Sequence, residues 1–516
     1  MDTAKIRQLR LKPLAGCLAS ALAFAASGAI ARPVSHEMPR PFTEILERAK
    51  AHELPPLPEW WQQPSPAELT LRAHPVPHEI PPVPAGSIVV QNCNDSGAGS
   101  LRQALDDAVE GATVDLTQLA CSSISLTTGS LLIAQQSLHL QGPGSKYLAI
   151  TANDTAAPIL HDGTGTLYVS DLTIEHGSKY FTDAQVDDAR GGCIFSGGSV
   201  FVSDSEITYC EVKNASSTHR ALGGAIYAHD GVSLSNSLVI NSSAKSGTGG
   251  AGGAIFSPGH VTVNDSDIAG NYASDHGGGV YALDLTVKYS TISSNVTHGI
   301  GGGLYSVGNA TITNSTIDHN SAALGGGVVM NALNATHAAT LLSSTVSSNI
   351  SYRVGGAWVG DYADVEVANS TIASNVETSP TKYGAGLFVY GTVDIQSTLV
   401  GNNTYAGGNE PDDVGGNATA TITGANNLFV FSSVTPPSDT IELASPGLGA
   451  LEFNGGSTRT HRLMSTSPAR DEGNDAANVA FDQRGSGFSR TLGDATDIGA
   501  YELDGSDILF SNGFDP

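Results

Sequence analysis

Apolar and polar residues alternate along most of this chain. Val261 and Val263, and later Val365 and Val367, each lie two residues apart with a polar residue between them. Side chains at this spacing lie on the same face of a strand, so the pattern predicts short β-strands with one buried face. The repeating part is built from Gly, Ser, Thr, Asn, Val and Ile rather than from good helix formers, which excludes a helical repeat.

A five-residue glycine phrase recurs eight times between these strands. It consists of paired glycines, a small residue and two apolar residues. Glycine at such positions permits a tight turn or a close approach of neighbouring backbone. The eight copies begin at Gly191, Gly223, Gly252, Gly277, Gly301, Gly325, Gly355 and Gly384.

A second phrase, typified by Ser290-Thr291-Ile292-Ser293-Ser294-Asn295, alternates with the first. Stacked asparagines hydrogen-bond to their neighbours above and below, so the asparagine that ends each phrase predicts an amide ladder rather than a binding role. The predicted rungs are Asn271, Asn295, Asn320, Asn349, Asn375 and Asn402. An earlier repeat carries Cys210 at this position.

The glycine phrases return at a nearly constant interval. Phe256 and Tyr281, which end two of them, are 25 residues apart, and Tyr281 and Tyr305 are 24 apart, whereas Phe195 and Tyr227 are 32 apart. A fixed minimum with occasional insertions indicates a coil of constant girth with loops on one side. Each coil accommodates about three short strands, so we predict a single right-handed parallel β-helix, all-β in class, with a cap at each end.

The flanking segments differ in composition from the repeats. Basic residues and an apolar run precede Ala29-Ile30-Ala31, which fits a signal-peptidase site and predicts an exported protein. Many prolines favour an extended spacer after it. The predicted divisions are a signal peptide over 1–31, a Pro-rich spacer over 32–86, an N-terminal cap over 87–121, β-helix coils over 122–431, a C-terminal cap region over 432–503 and an exposed tail over 504–516.

The net charge of −26 excludes nucleic acid as a default partner and leaves room for Ca²⁺, although no repeated calcium loop is present and no other cofactor is indicated. The mature chain has no run that predicts a transmembrane helix, and we expect a monomer. Cysteines in an exported protein pair. Cys93 with Cys121 would clamp the N-terminal cap and Cys193 with Cys210 would staple one coil, but the sequence permits three pairings.

Several segments resemble known families. The Gly-Gly-Ala-Ile phrases resemble the repeats of chlamydial polymorphic membrane proteins, whose β-helices act at the cell surface, largely as adhesins. The series Ser467-Pro468-Ala469, Asp482-Gln483-Arg484-Gly485 and Asp497-Ile498-Gly499-Ala500-Tyr501-Glu502 resembles exported pectin-lyase-like proteins of the choice-of-anchor Q type. The resemblance implies a β-helix at the surface of a Gram-negative bacterium, or released from it, and it assigns no catalytic residue.

Basic and aromatic residues precede several glycine phrases. Because this position recurs with each coil, stacking would align them into a row suited to an extended acidic glycan; the alternative is that they are solvated loop ends. These residues are Arg190, Arg220, His276, His298, Tyr352, Arg353, Lys382 and Tyr383. In the C-terminal region, ion pairs are expected to hold the cap, and the candidates are Asp471, Arg484, Arg490, Asp497 and Glu502.

The sequence therefore favours an exported binding or adhesin-like protein that contacts a glycan or another cell-surface component. One alternative is a polysaccharide lyase or glycoside hydrolase acting on an acidic polysaccharide, since the pectin-lyase-like fold hosts such enzymes. The other alternative is a purely structural surface protein, because a fold by itself does not specify a function.

Overall fold

The chain forms a parallel β-helix. The computed structural model describes residues 86–182, 187–247, 249–331, 337–360, 364–405 and 410–504. Its strands stack in parallel into a solenoid of about 11 turns, which confirms the predicted fold class. The predicted signal peptide, nearly all of the Pro-rich spacer and the C-terminal tail lie outside the described residues.

Three long parallel sheets form the sides of the solenoid. The first has 22 strands, Ile88–Val89, Thr113–Asp115, Leu131–Ile133, Leu138–Gln141, Ile159–His161, Thr166–Ser170, Ile194–Ser196, Ser199–Ser203, Ile226–Ala228, Gly231–Ser235, Ile255–Asn264, Val280–Lys288, Leu304–Ser306, Ala310–Thr313, Val328–Met330, Ala338–Leu342, Ala357–Val359, Asp364–Ala368, Leu387–Val389, Thr392–Gln396, Val414–Gly416 and Thr421–Ala425. The second has 13 strands, Ser123–Ser125, Ala149–Thr151, Thr173–Glu175, Glu206–Thr208, Leu238–Ile240, Asp267–Ala269, Thr291–Ser293, Thr316–Asp318, Thr345–Ser347, Thr371–Ala373, Leu399–Gly401, Leu428–Phe429 and Ile441–Glu442.

The third sheet has nine strands, Ser178–Phe181, Glu211–Asn214, Ser243–Ser246, Tyr272–Ala273, Val296–Thr297, Ser321–Leu324, Ile350–Arg353, Val376–Glu377 and Thr404–Tyr405. In three coils a further short strand follows the third-sheet strand, and these strands form a small parallel sheet of Ala189–Arg190, Ala221–Leu222 and Gly250–Ala251. Beyond the coils, the strands Leu448–Glu452 and Thr460–Leu463 form an antiparallel hairpin. Parallel pairing therefore starts at Ile88 and continues to Glu442, beyond both predicted limits of the coils.

The core is a stack of identical positions from successive coils. Ile268, Ile292, Ile317, Val346 and Ile372 are consecutive partners in the second sheet, and all are fully buried. Each such side chain contributes about 2 kcal/mol by leaving water. Because every coil presents the same positions to the next one, a solenoid extends its core without enlarging its cross-section.

The glycine phrases fit the turn between the third and first sheets. Their first residues have positive φ, as at Gly301 with 72°. The copy near residue 355 shifts by one relative to the sequence alignment, because Val354, with φ 60°, occupies the first position and Trp358 pairs with Val329. A β-branched residue rarely adopts this conformation, so the glycine pattern placed Gly355 at the first position. The register predicted for this coil was therefore wrong by one residue.

The asparagine ladder runs through the interior at the turn between the second and third sheets. From Asn271 to Asn375, each Nδ2 donates to the Oδ1 of the next rung at 2.8–3.0 Å. The sixth rung is Asn403, which is buried, whereas the predicted Asn402 is exposed and has φ 62°. Each rung follows a residue in the left-handed region, and Asn402 takes that role here, so the prediction was wrong by one residue.

Both disulfides have the connectivity favoured above. Cys93 pairs with Cys121 beside the helix Leu101–Asp107, whose N-cap is Ser100. Cys193 pairs with Cys210, and Cys210 stands at the ladder position. In later coils this place holds a glycine against an asparagine, as at Gly303, where a Cβ would lie 3.0 Å from the amide of Asn320. The disulfide thus replaces that contact in an early coil.

The C-terminal segment, residues 443–504, folds back along the outer face of the second sheet rather than stacking on the last coil. Thr316 donates to the carbonyl of Arg459 at 2.6 Å, and Thr371 accepts from the amide of Ala500 at 3.0 Å. The threonines and serines of the second sheet supply these hydrogen bonds. No helix within the described residues is long and apolar enough to cross a bilayer.

Candidate functional site

An aromatic row runs along the outside of the first sheet. Its members pair in register from coil to coil, and neighbouring rings from Phe195 to Tyr281 stack with centroids 4.8–5.7 Å apart. Tyr305 meets Tyr281 edge to face. Most rings are nearly buried, with Phe195 and Tyr281 half-buried. Val329 interrupts the row between Tyr305 and Trp358. The aromatic members are Phe195, Tyr227, Phe256, Tyr281, Tyr305, Trp358 and Phe388.

The predicted cationic residues do not form one continuous row beside these rings. The residues directly before the glycine phrases pair in register from coil to coil. Cationic side chains occupy this position in only three coils, as Arg190, His276 and Arg353. Apolar residues occupy the same position in the intervening coils, namely Leu222, Ala251, Ile300 and Leu324. The charges are therefore grouped into three separate clusters.

The first group, which we call the arginine cluster, consists of Asp188, Arg190 and Arg220. Arg220 lies 3.0 Å from the Asp188 carboxylate and Arg190 lies 3.8 Å from it. Burial opposes the ionisation of Asp188, but hydrogen bonds from Arg220 and the two guanidinium charges outweigh burial and lower its pKa. Arg190 lies 5.4 Å from the centre of the Tyr227 ring. The cluster thus presents two partly exposed guanidinium groups beside an aromatic surface.

Lys179 belongs to the same region and was not among the residues predicted from the sequence. Its ammonium lies 5.3 Å from the centre of the Phe195 ring and 5.6 Å from that of Phe181. Burial lowers its pKa, the positive charge of Arg190 lowers it further, and the carboxylate of Asp162 opposes the shift. Because Lys179 lies within a third-sheet strand rather than before a glycine phrase, the repeat pattern did not single it out.

The middle group centres on His276. Its Nδ1 lies 3.1 Å from Asp275, and its ring stacks on Tyr305 with centroids 5.5 Å apart. Burial raises the pKa of Tyr305, so the neighbouring hydroxyl stays neutral at ordinary pH. His276 therefore covers the aromatic row instead of projecting from it.

The third group contains Arg353, Lys382 and Tyr383. The Arg353 guanidinium lies 4.6 Å from the centre of the Tyr383 ring. Lys382 forms an ion pair with Glu410 at 3.1 Å and lies 4.9 Å from the centre of the Tyr405 ring. These cations are thus partly engaged in interactions within the protein.

Two predicted residues lie away from the three groups. His298 packs edge to face against Tyr272, and burial lowers its pKa. Tyr352 is exposed on a strand of the third sheet. Among the described residues, neither forms a ring contact with the aromatic row, so the structure does not bring them together with Arg190 or His276.

A buried carboxyl pair, Glu377 and Asp412, lies beneath the third group. Asp412 accepts from the amides of Gly384 and Ala385, and Glu377 accepts from the amide of Tyr383. Burial, together with the negative charge of Asp412, raises the pKa of Glu377 to about 9. A protonated Glu377 can share its proton with Asp412, and the pair then holds the turn that carries Tyr383.

We expect Glu377→Gln to flatten the dependence of thermal stability on pH. The folded pKa of about 9 lies above the unfolded value, so the folded chain binds the extra proton, and the contribution to stability falls as pH rises from about 5 towards 9. Glutamine mimics the protonated form and removes this loss. Melting curves at pH 5, 7 and 9 test it, with the exposed Glu442→Gln as control; parallel pH profiles for wild type and Glu377→Gln would contradict it.

The same end of the solenoid terminates the asparagine ladder. Asp413 accepts from the backbone and side-chain amides of Asn403 at 2.9 and 2.8 Å, and burial raises its pKa to about 7. The described residues contain no group of three or more His, Cys, Asp or Glu side chains arranged to hold a metal ion. The acids at this corner are therefore part of the hydrogen-bonded structure.

Comparison with known proteins adds no further assignment. No family model, no curated protein and no solved structure matches this chain.

Proposed function

We propose that this chain is an exported β-helical binding protein, adhesin-like in character, and that the arginine cluster contacts an acidic glycan. The observation that carries the proposal is the convergence of Arg190 and Arg220 on one carboxylate beside the Tyr227 ring. Asp188 neutralises only one of the two guanidinium charges. On a chain of net charge −26, such a local excess of positive charge favours an anionic ligand.

The chemistry of the cluster suits a carboxylated or sulfated sugar. A guanidinium group donates two parallel hydrogen bonds to planar acidic groups, and aromatic side chains offer an apolar surface to the sugar ring. Two disulfides in the described residues are compatible with an oxidising compartment. The resemblance to choice-of-anchor Q and chlamydial surface proteins supports a place at, or release from, the cell surface.

We expect Arg190→Gln combined with Arg220→Gln to weaken retention of an acidic glycan by about tenfold or more, since two charge-assisted hydrogen bonds are lost. Affinity electrophoresis in gels containing polygalacturonate, with neutral galactan as the reference gel, measures this. The matched control is Lys288→Gln, which removes a cation from an exposed position on the first sheet. Equal retention of the double variant and wild type would refute the assignment.

A lyase acting on an acidic polysaccharide is the second candidate, and Lys179 is the observation that favours it. A lysine with a lowered pKa can abstract a proton beside a carboxylate, provided that the substrate reaches it. Incubation with polygalacturonate and alginate, followed by absorbance of unsaturated uronates, separates the two functions. Activity that disappears in Lys179→Gln would favour the lyase, whereas retention without new chain ends favours binding.

A further inference from the structure

The outer face of the third sheet carries a second concentration of positive charge that the repeat pattern did not indicate. Tyr180, Lys213 and Lys245 occupy the same register position in three consecutive parallel strands. Adjacent strands in a sheet are about 4.8 Å apart, so the two lysines leave the sheet as close neighbours. Tyr180 and Lys213 are exposed, and Lys245 is partly exposed.

The two lysines differ in how their charges are balanced. Lys245 forms an ion pair with Glu211 at 2.7 Å. Lys213 lies 5.5 Å from the centre of the Tyr180 ring, and within the described ranges it forms no ion pair with a carboxylate. Like charges on neighbouring strands repel each other. An anion placed between them would relieve this repulsion, and one carboxylate for two ammonium groups leaves one positive charge for it to neutralise.

A cleft of about 470 Å³ adjoins these side chains. We call it the lysine cleft, and it is lined by Lys213, Asn214, Ala215, Lys245, Ser246, Gly247, Tyr272 and Ser274. Its volume suits one or two sugar units, since sites for small ligands begin at about 300 Å³. Tyr272 contributes an aromatic ring that is largely buried. The rim formed by Asn214, Ser246 and Ser274 is polar, but these side chains already hydrogen-bond within the protein, so the ammonium groups of Lys213 and Lys245 are the groups that a ligand would meet.

We propose that the lysine cleft binds an anionic sugar unit. The acidic group of the sugar accepts hydrogen bonds from the ammonium groups of Lys213 and Lys245, and the sugar ring rests against Tyr272. This combination of paired cations, a polar rim and an aromatic surface recognises a carboxylate or a sulfate ester by the same chemistry. The site uses none of the residues of the arginine cluster.

The cleft and the arginine cluster lie on two sides of one loop. Asn214, which lines the cleft, donates from its side chain to the carbonyls of Arg220 and Asp187 at 3.1 and 3.0 Å. An extended acidic polysaccharide that reached both surfaces would gain from two linked contacts. A short oligosaccharide, in contrast, occupies one surface at a time, so labelling of individual lysines reports on the cleft separately.

Protection of the lysines from acylation tests the site directly. The full mature chain is treated with an amine-reactive reagent, with and without trigalacturonate or a sulfated heparin-derived tetrasaccharide, and labelling is quantified by mass spectrometry. We expect labelling of Lys213 and Lys245 to fall by about tenfold at saturation while Lys288 is unaffected, since bound oxygens block the amines. Protection by one probe only identifies whether a carboxylate or a sulfate is recognised.

Binding of the same probes to variants, measured by titration calorimetry, gives the second readout. The comparison is made in the Arg190→Gln, Arg220→Gln background, which removes the contribution of the arginine cluster. In that background, adding Lys213→Gln and Lys245→Gln is expected to weaken binding by about tenfold or more, whereas adding Lys288→Gln leaves it unchanged. Both lysines are at the surface, so the folded structure is expected to persist. Unprotected lysines, or unchanged binding by the lysine variant, would overturn the proposal without bearing on the arginine cluster, which the polygalacturonate gels test separately.

Discussion

Replacing Asn320 by alanine is expected to lower the free energy of unfolding by about 4 kcal/mol. Asn320 Oδ1 accepts from the backbone and side-chain amides of Asn295, and its Nδ2 donates to the Ile292 carbonyl and to Asn349 Oδ1. All these groups are buried. Alanine removes four hydrogen bonds at once. Asn349 Oδ1 keeps the backbone amide of Asn320, but the buried backbone amide of Asn295 loses its acceptor, which is the costly way to lose a hydrogen bond.

Chemical denaturation followed by circular dichroism measures this effect, and hydrogen exchange shows where the solenoid opens. Coils contact only their neighbours, so exchange is expected to increase most around residues 290–350. Asn402→Gly is the matched control, because this asparagine is exposed and glycine accepts its positive φ. A loss for Asn402→Gly as large as that for Asn320→Ala would contradict the ladder described above.

Replacing Arg484 by glutamine is expected to loosen the packing of the C-terminal segment, at a cost of about 3 kcal/mol. The side chain of Arg484 is 2% exposed, and its guanidinium lies 2.7 Å from Asp482, which is fully buried. It also donates to the Glu502 carbonyl and lies between the rings of Phe488 and Tyr501, 4.1 and 3.8 Å from their centres. Glutamine would leave the Asp482 charge buried without its guanidinium partner.

Limited proteolysis and hydrogen exchange over residues 443–504 test this second prediction. The expected result is faster cleavage within the C-terminal segment while the ladder coils remain protected, because their hydrogen bonds do not involve Arg484. Arg470→Gln is the control, since Arg470 is 42% exposed and its ion pair with Asp471 contributes little. Unchanged cleavage in Arg484→Gln would show that the buried pair does not hold the segment.

Only some of the ion pairs predicted for the C-terminal region are present in the structure. Arg484 pairs with Asp482, which had not been singled out for this role, and Arg490 lies 3.7 Å from Glu502. Asp497 instead accepts from the backbone amides of Asp471 and Leu503. Residue types at this end of the chain indicated that buried charges would be paired, but the partners depend on a fold that has no repeat.

The sequence also predicted only part of the arrangement of the candidate site. Arg190, His276 and Arg353 do occupy one register position, as the recurring spacing suggested. The apolar residues that interrupt them directly precede glycine phrases in the sequence, but the predicted row combined residues at different distances before these phrases, such as Arg220 and His298. Lys179 and Lys213 lie in third-sheet strands rather than before a glycine phrase, so the glycine phrases did not single them out, and the stacking of coils places them beside Phe195 and Lys245.

The sequence by itself determined the parallel β-helix, the coil period and the interior ladder, whereas the choice among three cysteine pairings came from the structure. These features follow from local rules, because a solenoid pairs each residue with the one a coil later, and a fixed period therefore specifies the neighbour. Tertiary structure alone decided the one-residue shifts at Val354 and Asn403, the folding back of the C-terminal segment, and the grouping of charges on the surface. Those depend on backbone conformation and on contacts across more than one hundred residues, such as Arg459 with Asp318, for which no repeat supplies a register.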